Sequence, residues 1–179
     1  MIAKKVPTVR IAYPKHWFLI GTLIYVVVTV LLFYLASSSV GDFSRSFWLV
    51  AGVLEGVLAF LFLVPPIFTN HVAGAKALRL RMGLLISEDI PYEWVREVKQ
   101  LSIPWGGVRV GIGVRYSPIP KILFVTSSFS GLVRLELDSE HPMGRLWKRP
   151  VSEVVLSVSY IPGMMDVMRE RAGIAKEEE

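Results

Sequence analysis

"SFWLVAGVLEGVLAFLFLVPPIF", residues 46–68, is an apolar run interrupted by one charge, Glu55. Whether it belongs in a protein core or in lipid decides the fold. A charged residue at the centre of a membrane helix costs about 2.5–3.5 kcal/mol to insert. Residues 47–64 contain 12 Leu, Phe or Val, which together supply roughly 4–7 kcal/mol. Insertion wins, and the segment reads as a membrane span. Pro65 and Pro66 then end or kink the helix, because they lack the backbone N–H that would continue it.

Upstream lies a second run, "WFLIGTLIYVVVTVLLFYLA", residues 17–36, with no charge at all. A helix of that length covers about 30 Å, the thickness of a bilayer core. Trp17 and Tyr34 stand near its ends, where aromatic side chains prefer the interface. A cleaved signal peptide is the competing reading, given the basic start and the small "ASSS" that follows. Signal cores run about 7–15 residues, so this one is too long. The linker "SSSVGDFSR", residues 37–45, is short, so residues 17–68 read as an antiparallel hairpin with spans 17–36 and 46–68.

Charge orients the hairpin. Residues 1–16 carry Lys4, Lys5, Arg10 and Lys15 and no acid. Lys76, Arg79 and Arg81 follow the second span, while Asp42 and Arg45 cancel in the linker. Positive charge stays on the cytoplasmic side, so both termini are expected there, in a multi-pass cell-membrane protein. The chain is +5 overall, but from His71 onward 15 Lys/Arg face 13 Asp/Glu, only +2, without a dense basic run. That argues against nucleic acid as a partner. It favours the bilayer and its anionic headgroups, with Lys4, Lys5, Lys15, Lys76, Arg79 and Arg81 as candidate contacts.

From residue 75 the pattern changes. "VRVGIGVRY", 108–116, and "LVRLELD", 132–138, alternate apolar and polar, the period of strands packed on one face. Further strands are expected over 76–82, 84–90, 96–103, 121–126 and 151–160, which makes about seven antiparallel strands. Turn signals separate them: Gly83, Pro104–Gly107, Pro118–Pro120, Ser130–Gly131 and His141–Pro142. "PGMMDVMRERAG", 162–173, reads as a closing amphipathic helix, with Pro162 in its first turn. The acidic tail, 174–179, stands apart from the domain at 71–173.

Two stretches carry a family resemblance: "TNHVAGAKALRLRMGLLISEDIPYEWVREV", residues 69–98, and "VVLSVSYIPGMMDVMRERAG", residues 154–173. With the hairpin before them, they resemble the bacterial pleckstrin-homology-like (bPH) domain proteins of prokaryotic membranes. The resemblance implies a PH-like sandwich or partial barrel on the cytoplasmic face, and no particular activity. Lys76, Arg79 and Arg81 are superficially similar to the basic cluster of phosphoinositide-binding PH domains. Here the cluster lies within the first predicted strand, and the turn "MGLL" after it has no base.

Chemistry-bearing patterns are scarce. The chain has no cysteine, which removes disulfides, thiolate metal sites and cysteine nucleophiles. His16, His71 and His141 are scattered and read as interfacial or turn histidines rather than metal ligands. No G-x-S-x-G elbow or P-loop is present; "GGVRVGIG" opens no helix, and "SSFSG" suits a hairpin turn. No enzyme activity and no cofactor are expected.

Glu55 remains. Gly52 and Gly56 flank it in a G-x-x-x-G pair that permits close helix approach. The first span offers Thr22, Tyr25 and Thr29 at matching depth. One reading is a protonated carboxyl bonded to Tyr25 or Thr29 across the hairpin, or across a dimer. The other is a proton or ion path, which intramembrane carboxylates often serve. The expected role is a non-catalytic scaffold or interaction module with a protein partner or self-association. The alternative is a subunit of a transport or export system with Glu55 in its path.

Overall fold

The computed structural model describes residues 7–101, 111–144 and 148–174. Lys4, Lys5, the Pro104–Gly107 turn, the first part of the 108–116 alternation and residues 175–179 of the acidic tail lie outside them; Ile174, assigned to that tail, packs against the core. Two long apolar helices, α1 (His16–Ser38) and α2 (Asp42–Phe62), stand against each other. At 1.5 Å per residue, the 23 residues of α1 reach about 35 Å. Helix α2 starts four residues earlier than expected. Asp42 lies in its first turn, where a carboxylate favours the helix dipole. Pro65 and Pro66 interrupt the ladder, so the chain breaks at Leu63 and resumes as the short α3 (Val64–Phe68). Both helices are long and apolar enough to cross a membrane, and almost none of their apolar surface is covered.

The remainder is mostly β, in two sheets with a C-terminal helix. Strands β1 (Val9–Ile11), β2 (His71–Ala73), β3 (Ala77–Met82) and β4 (Ile86–Pro91) form an antiparallel meander. The second sheet takes β5 (Val95–Leu101), β6 (Gly113–Ser117), β7 (Ile122–Thr126), β8 (Leu132–Met143) and β9 (Arg149–Ser157). Their order is β5-β8-β9-β7-β6, with one parallel pair, β7–β9. The sheets do not close into a barrel. Among the described residues there are nine strands rather than seven, and not all pairs are antiparallel.

The two unforeseen strands change the plan of the molecule. β1 precedes the helices and β2 follows them, and they pair directly, Ile11 opposite His71 and Val9 opposite Ala73. The helical hairpin is therefore inserted between neighbouring strands of one sheet. It does not simply precede the β region, and the domain begins before residue 71. Three-residue strands are too short to show a period of two, which is why the alternation missed them.

His141–Pro142 is a second correction. It is not a turn but part of β8, which runs on to Met143 past an irregularity between Glu136 and His141. Pro142 lies opposite Pro150, and a proline pair fits an antiparallel ladder at a non-hydrogen-bonded pair, where neither residue has to donate to the other. Of the described part of the 108–116 alternation, residues 111–116, the strand begins at Gly113. The φ of +108° at Gly113 turns the chain where a continuous strand was expected.

One core joins both sheets. Leu78, Leu80 and Met82 alternate inward along β3 and meet Ile90, Val98, Leu135, Val154 and Leu156. Helix α4 (Ile161–Ala172) covers this core with Met164 and Met168, both buried. Arg171, near its end, donates from Nη2 to Pro7 O at 2.6 Å and from Nη1 to Ala73 O at 2.8 Å, tying α4 to the β1–β2 pair. The same core takes in Tyr13 and Phe18, from the entry to α1, with Leu63 and Ile67 packed against it.

Candidate functional site

Three places deserve a chemical reading: the middle of the hairpin, its junction with the sheets, and the polar clusters of the β region. In the hairpin, Thr29 Oγ1 donates to Glu55 Oε2. The glycines make room for this contact. A Cβ on Gly52 would stand 3.4 Å from Leu32 Cβ and 3.5 Å from the Phe33 ring, and one on Gly56 would stand 3.7 Å from Thr29 Cγ2. The helices thus touch along Gly52–Glu55–Gly56 on one side and Thr29–Leu32–Phe33 on the other. Tyr25 makes no described bond to Glu55, and Thr22 donates to its own helix at Phe18 O. The arrangement can hold a carboxyl group on one hydroxyl partner between two apolar helices.

At the junction, the chain segments entering and leaving the hairpin are tied to the first sheet. Tyr13 Oη donates to Pro66 O at 2.6 Å and lies 2.9 Å from Thr69 Oγ1, which accepts from Gly83 N at 2.9 Å. Burial pushes the Tyr13 hydroxyl pKa up. Gly83, in the β3–β4 turn, has φ +56°, and a Cβ there would fall 2.5 Å from Pro66 Cδ. The turn can rest on α3 only because residue 83 has no side chain.

His71 sits beside this knot. Its ring lies 5.0 Å from the Tyr13 ring, and its Nδ1 accepts from Arg81 N at 3.1 Å. That bond puts the proton of the neutral ring on Nε2, which is buried without a partner among the described residues. Burial holds the His71 pKa down at about 4. His71 is therefore a core histidine and not an interfacial one. Its β-strand setting was the missing signal.

The cationic candidates disperse. Lys76 stands in the β2–β3 turn, at the end of those strands away from α3. Arg79 is held by Asp89 across β3–β4 in a bidentate pair, 2.7 and 2.9 Å, which lowers the Asp89 pKa. Arg81 is exposed on the same sheet face, nearer α3. Lys15 lies immediately before α1, with its Nζ 5.8 Å from the Tyr13 ring centre. The structure does not gather these residues into one headgroup pocket.

Two features escaped the sequence reading. Asp138, Ser139 and His141 meet at the irregularity in β8: His141 Nε2 lies 2.7 Å from Asp138 Oδ1 and 3.1 Å from Ser139 Oγ. His141 also stacks on Trp94 at 3.8 Å. The trio has the composition of a hydrolase triad but not its geometry. Both oxygens address the same ring nitrogen, so the ring cannot take serine's proton at one nitrogen while aspartate orients it through the other. The second feature is a cleft of about 610 Å³ between the β3–β4 turn and the second sheet, lined by Leu85, Ile86, Leu123 and Met143 with Arg115 and Arg149. It depends on packing between distant segments, which no local motif announces.

Among the described residues, no group of three or more His, Cys, Asp or Glu gathers to hold a metal ion. Comparison of the chain with protein families, curated proteins and solved structures finds no match.

Proposed function

We propose that this chain is an integral membrane protein that presents its β domain at the cytoplasmic face as a scaffold or interaction module, without catalysis of its own. The observation that carries this reading is the hairpin. Away from the seam where they touch and from their base, its two long helices leave their apolar side chains exposed. In water such a surface would be a severe liability; in hydrocarbon it is the expected exterior. Two sheets and a covering helix are compatible with the PH-like plan that the sequence resembles. A domain so placed can recruit a protein partner, or a second copy, to the membrane.

The basic residues before α1 support cytoplasmic termini, with the α1–α2 connection on the other side. Val40 in that connection and Ile119 in the β domain are both exposed, and the chain has no cysteine of its own. In intact cells, an impermeant thiol reagent should label Val40→Cys and spare Ile119→Cys until the membrane is opened. The reverse pattern would overturn the orientation. A second reading, a subunit of a transport or export system, draws support from the Glu55–Thr29 pair. Glu55→Gln separates the two. A scaffold should keep its cellular role, whereas a proton path should lose it with folding intact.

A further inference from the structure

Among the described residues after α2, large exposed apolar side chains are few, and most of them cluster at one end of the β region. Leu84, 59% exposed, tips the β3–β4 turn, whose Gly83 rests on Pro66 of α3. Phe129, 56% exposed, tips the β7–β8 loop, and its ring meets the Trp17 ring edge-on at 6.2 Å. Phe68, 79% exposed, is the last residue of α3. Tyr160 is exposed beside Ser159, whose N–H donates to Ala12 O just before α1. Four separate chain segments thus bring apolar or aromatic side chains to the base of the hairpin, and Lys15 stands among them.

From this placement we infer that the β domain does not hang from the hairpin as a tethered body. It docks on the bilayer surface through Leu84 and Phe129, which enter the headgroup–acyl boundary beside Trp17. The occupant is lipid because the surface is continuous with the hairpin. Phe129 touches the first aromatic of α1, and Leu84 rides on the turn braced against α3. Phe18 and Leu63, from the same ends of the helices, are packed into the domain core, so the base cannot swing freely away from the sheets. Aromatic residues with a nearby base are the composition that favours this depth. This inference rests on the proposal that the hairpin spans a membrane.

The test uses the full chain in vesicles of phosphatidylcholine and phosphatidylglycerol, with one cysteine at a time carrying an environment-sensitive dye. Positions are Leu84→Cys, Phe129→Cys, Val27→Cys in mid-hairpin and Ile119→Cys in the β6–β7 turn, at the far end of β7. All four side chains are exposed, and only Phe129→Cys gives up a ring contact, the edge contact with Trp17. Labels at 84 and 129 should emit to the blue of the label at 119. They should be quenched by a nitroxide on the lipid chain and protected from aqueous iodide. If 84 and 129 behave like 119 while 27 is quenched from the lipid, the hairpin reading stands and the docking is refuted. If 27 is itself open to iodide, the membrane-spanning reading fails and the docking falls with it. A split result, with one loop buried and the other wet, also refutes docking through both loops.

Discussion

The hairpin and the β region solve opposite problems with the same residue types. In β3, leucine and methionine point inward and arginine outward, and burial of the apolar face drives assembly. In α1 and α2 the apolar residues point outward and the small ones inward, where Gly52 and Gly56 admit Thr29, Leu32 and Phe33. In the lipid setting proposed for the hairpin, the hydrophobic effect cannot hold the two helices together, so close packing and the Thr29–Glu55 contact would do so. The two regions should therefore respond very differently to substitution.

The largest effect should come from treating the β region as if it began at residue 71. A fragment of residues 71–174 lacks β1, Ile11 and Tyr13, and should show no cooperative unfolding. A chain joining residues 7–13 to 69–174 through a short Gly/Ser turn should unfold cooperatively in urea, because Ile11 already lies opposite His71 and Tyr13 beside Thr69. Cooperative unfolding of the shorter fragment would show that β1 is an accessory to the sheet.

Next comes the core. Met168, fully buried on the inner face of α4, belongs to the cluster both sheets share, and Met168→Ala should cost about 2–5 kcal/mol in that joined domain. His71 should follow, through pH. Its pKa is about 4 in the fold against 6.5 when exposed, so the unfolded chain binds more protons between those values. The stability conferred is complete above pH 6.5, declines as the pH falls to 4, and is lost below, by about 3 kcal/mol. His71→Gln should flatten this slope whatever its effect at pH 7, which urea titrations from pH 7 to 4 would read directly.

The hairpin should yield the smallest numbers. Gly52→Ile has no room for its outer carbons beside Leu32 and Phe33, and should weaken helix association by about 1–3 kcal/mol. Glu55→Leu loses the Thr29 contact and should cost about 0.6–2 kcal/mol, while Glu55→Gln should cost less, since an amide oxygen still accepts from threonine. Energy transfer between labels on α1 and α2 in detergent would rank the three. A larger loss for Glu55→Gln than for Gly52→Ile would invert the packing account.

Much of this molecule was legible from local pattern. Long uncharged runs can be read for helices that suit lipid, because hydropathy needs no knowledge of neighbours. Pro65–Pro66 marks the break after α2, and the alternation in 76–82 and 132–138 marks strands, because these follow from backbone covalent geometry and the period of the chain. The 162–173 helix is legible for the same reason, with Met164 and Met168 on its buried face. What only the tertiary structure decided is where distant segments meet. β1 and β2 become strands because the hairpin returns the chain to its starting point, so each supplies the other's hydrogen bonds. Pro142 sits in a strand at a register position, opposite Pro150, that only the pairing of β8 with β9 fixes. The choice of Thr29 rather than Tyr25 for Glu55 depends on the rotation of two helices about each other. The gathering of Leu84, Phe129 and Phe68 at the hairpin base depends on three loops more than ten residues apart in sequence. Such outcomes are set by contacts between segments, and no window of sequence contains both partners.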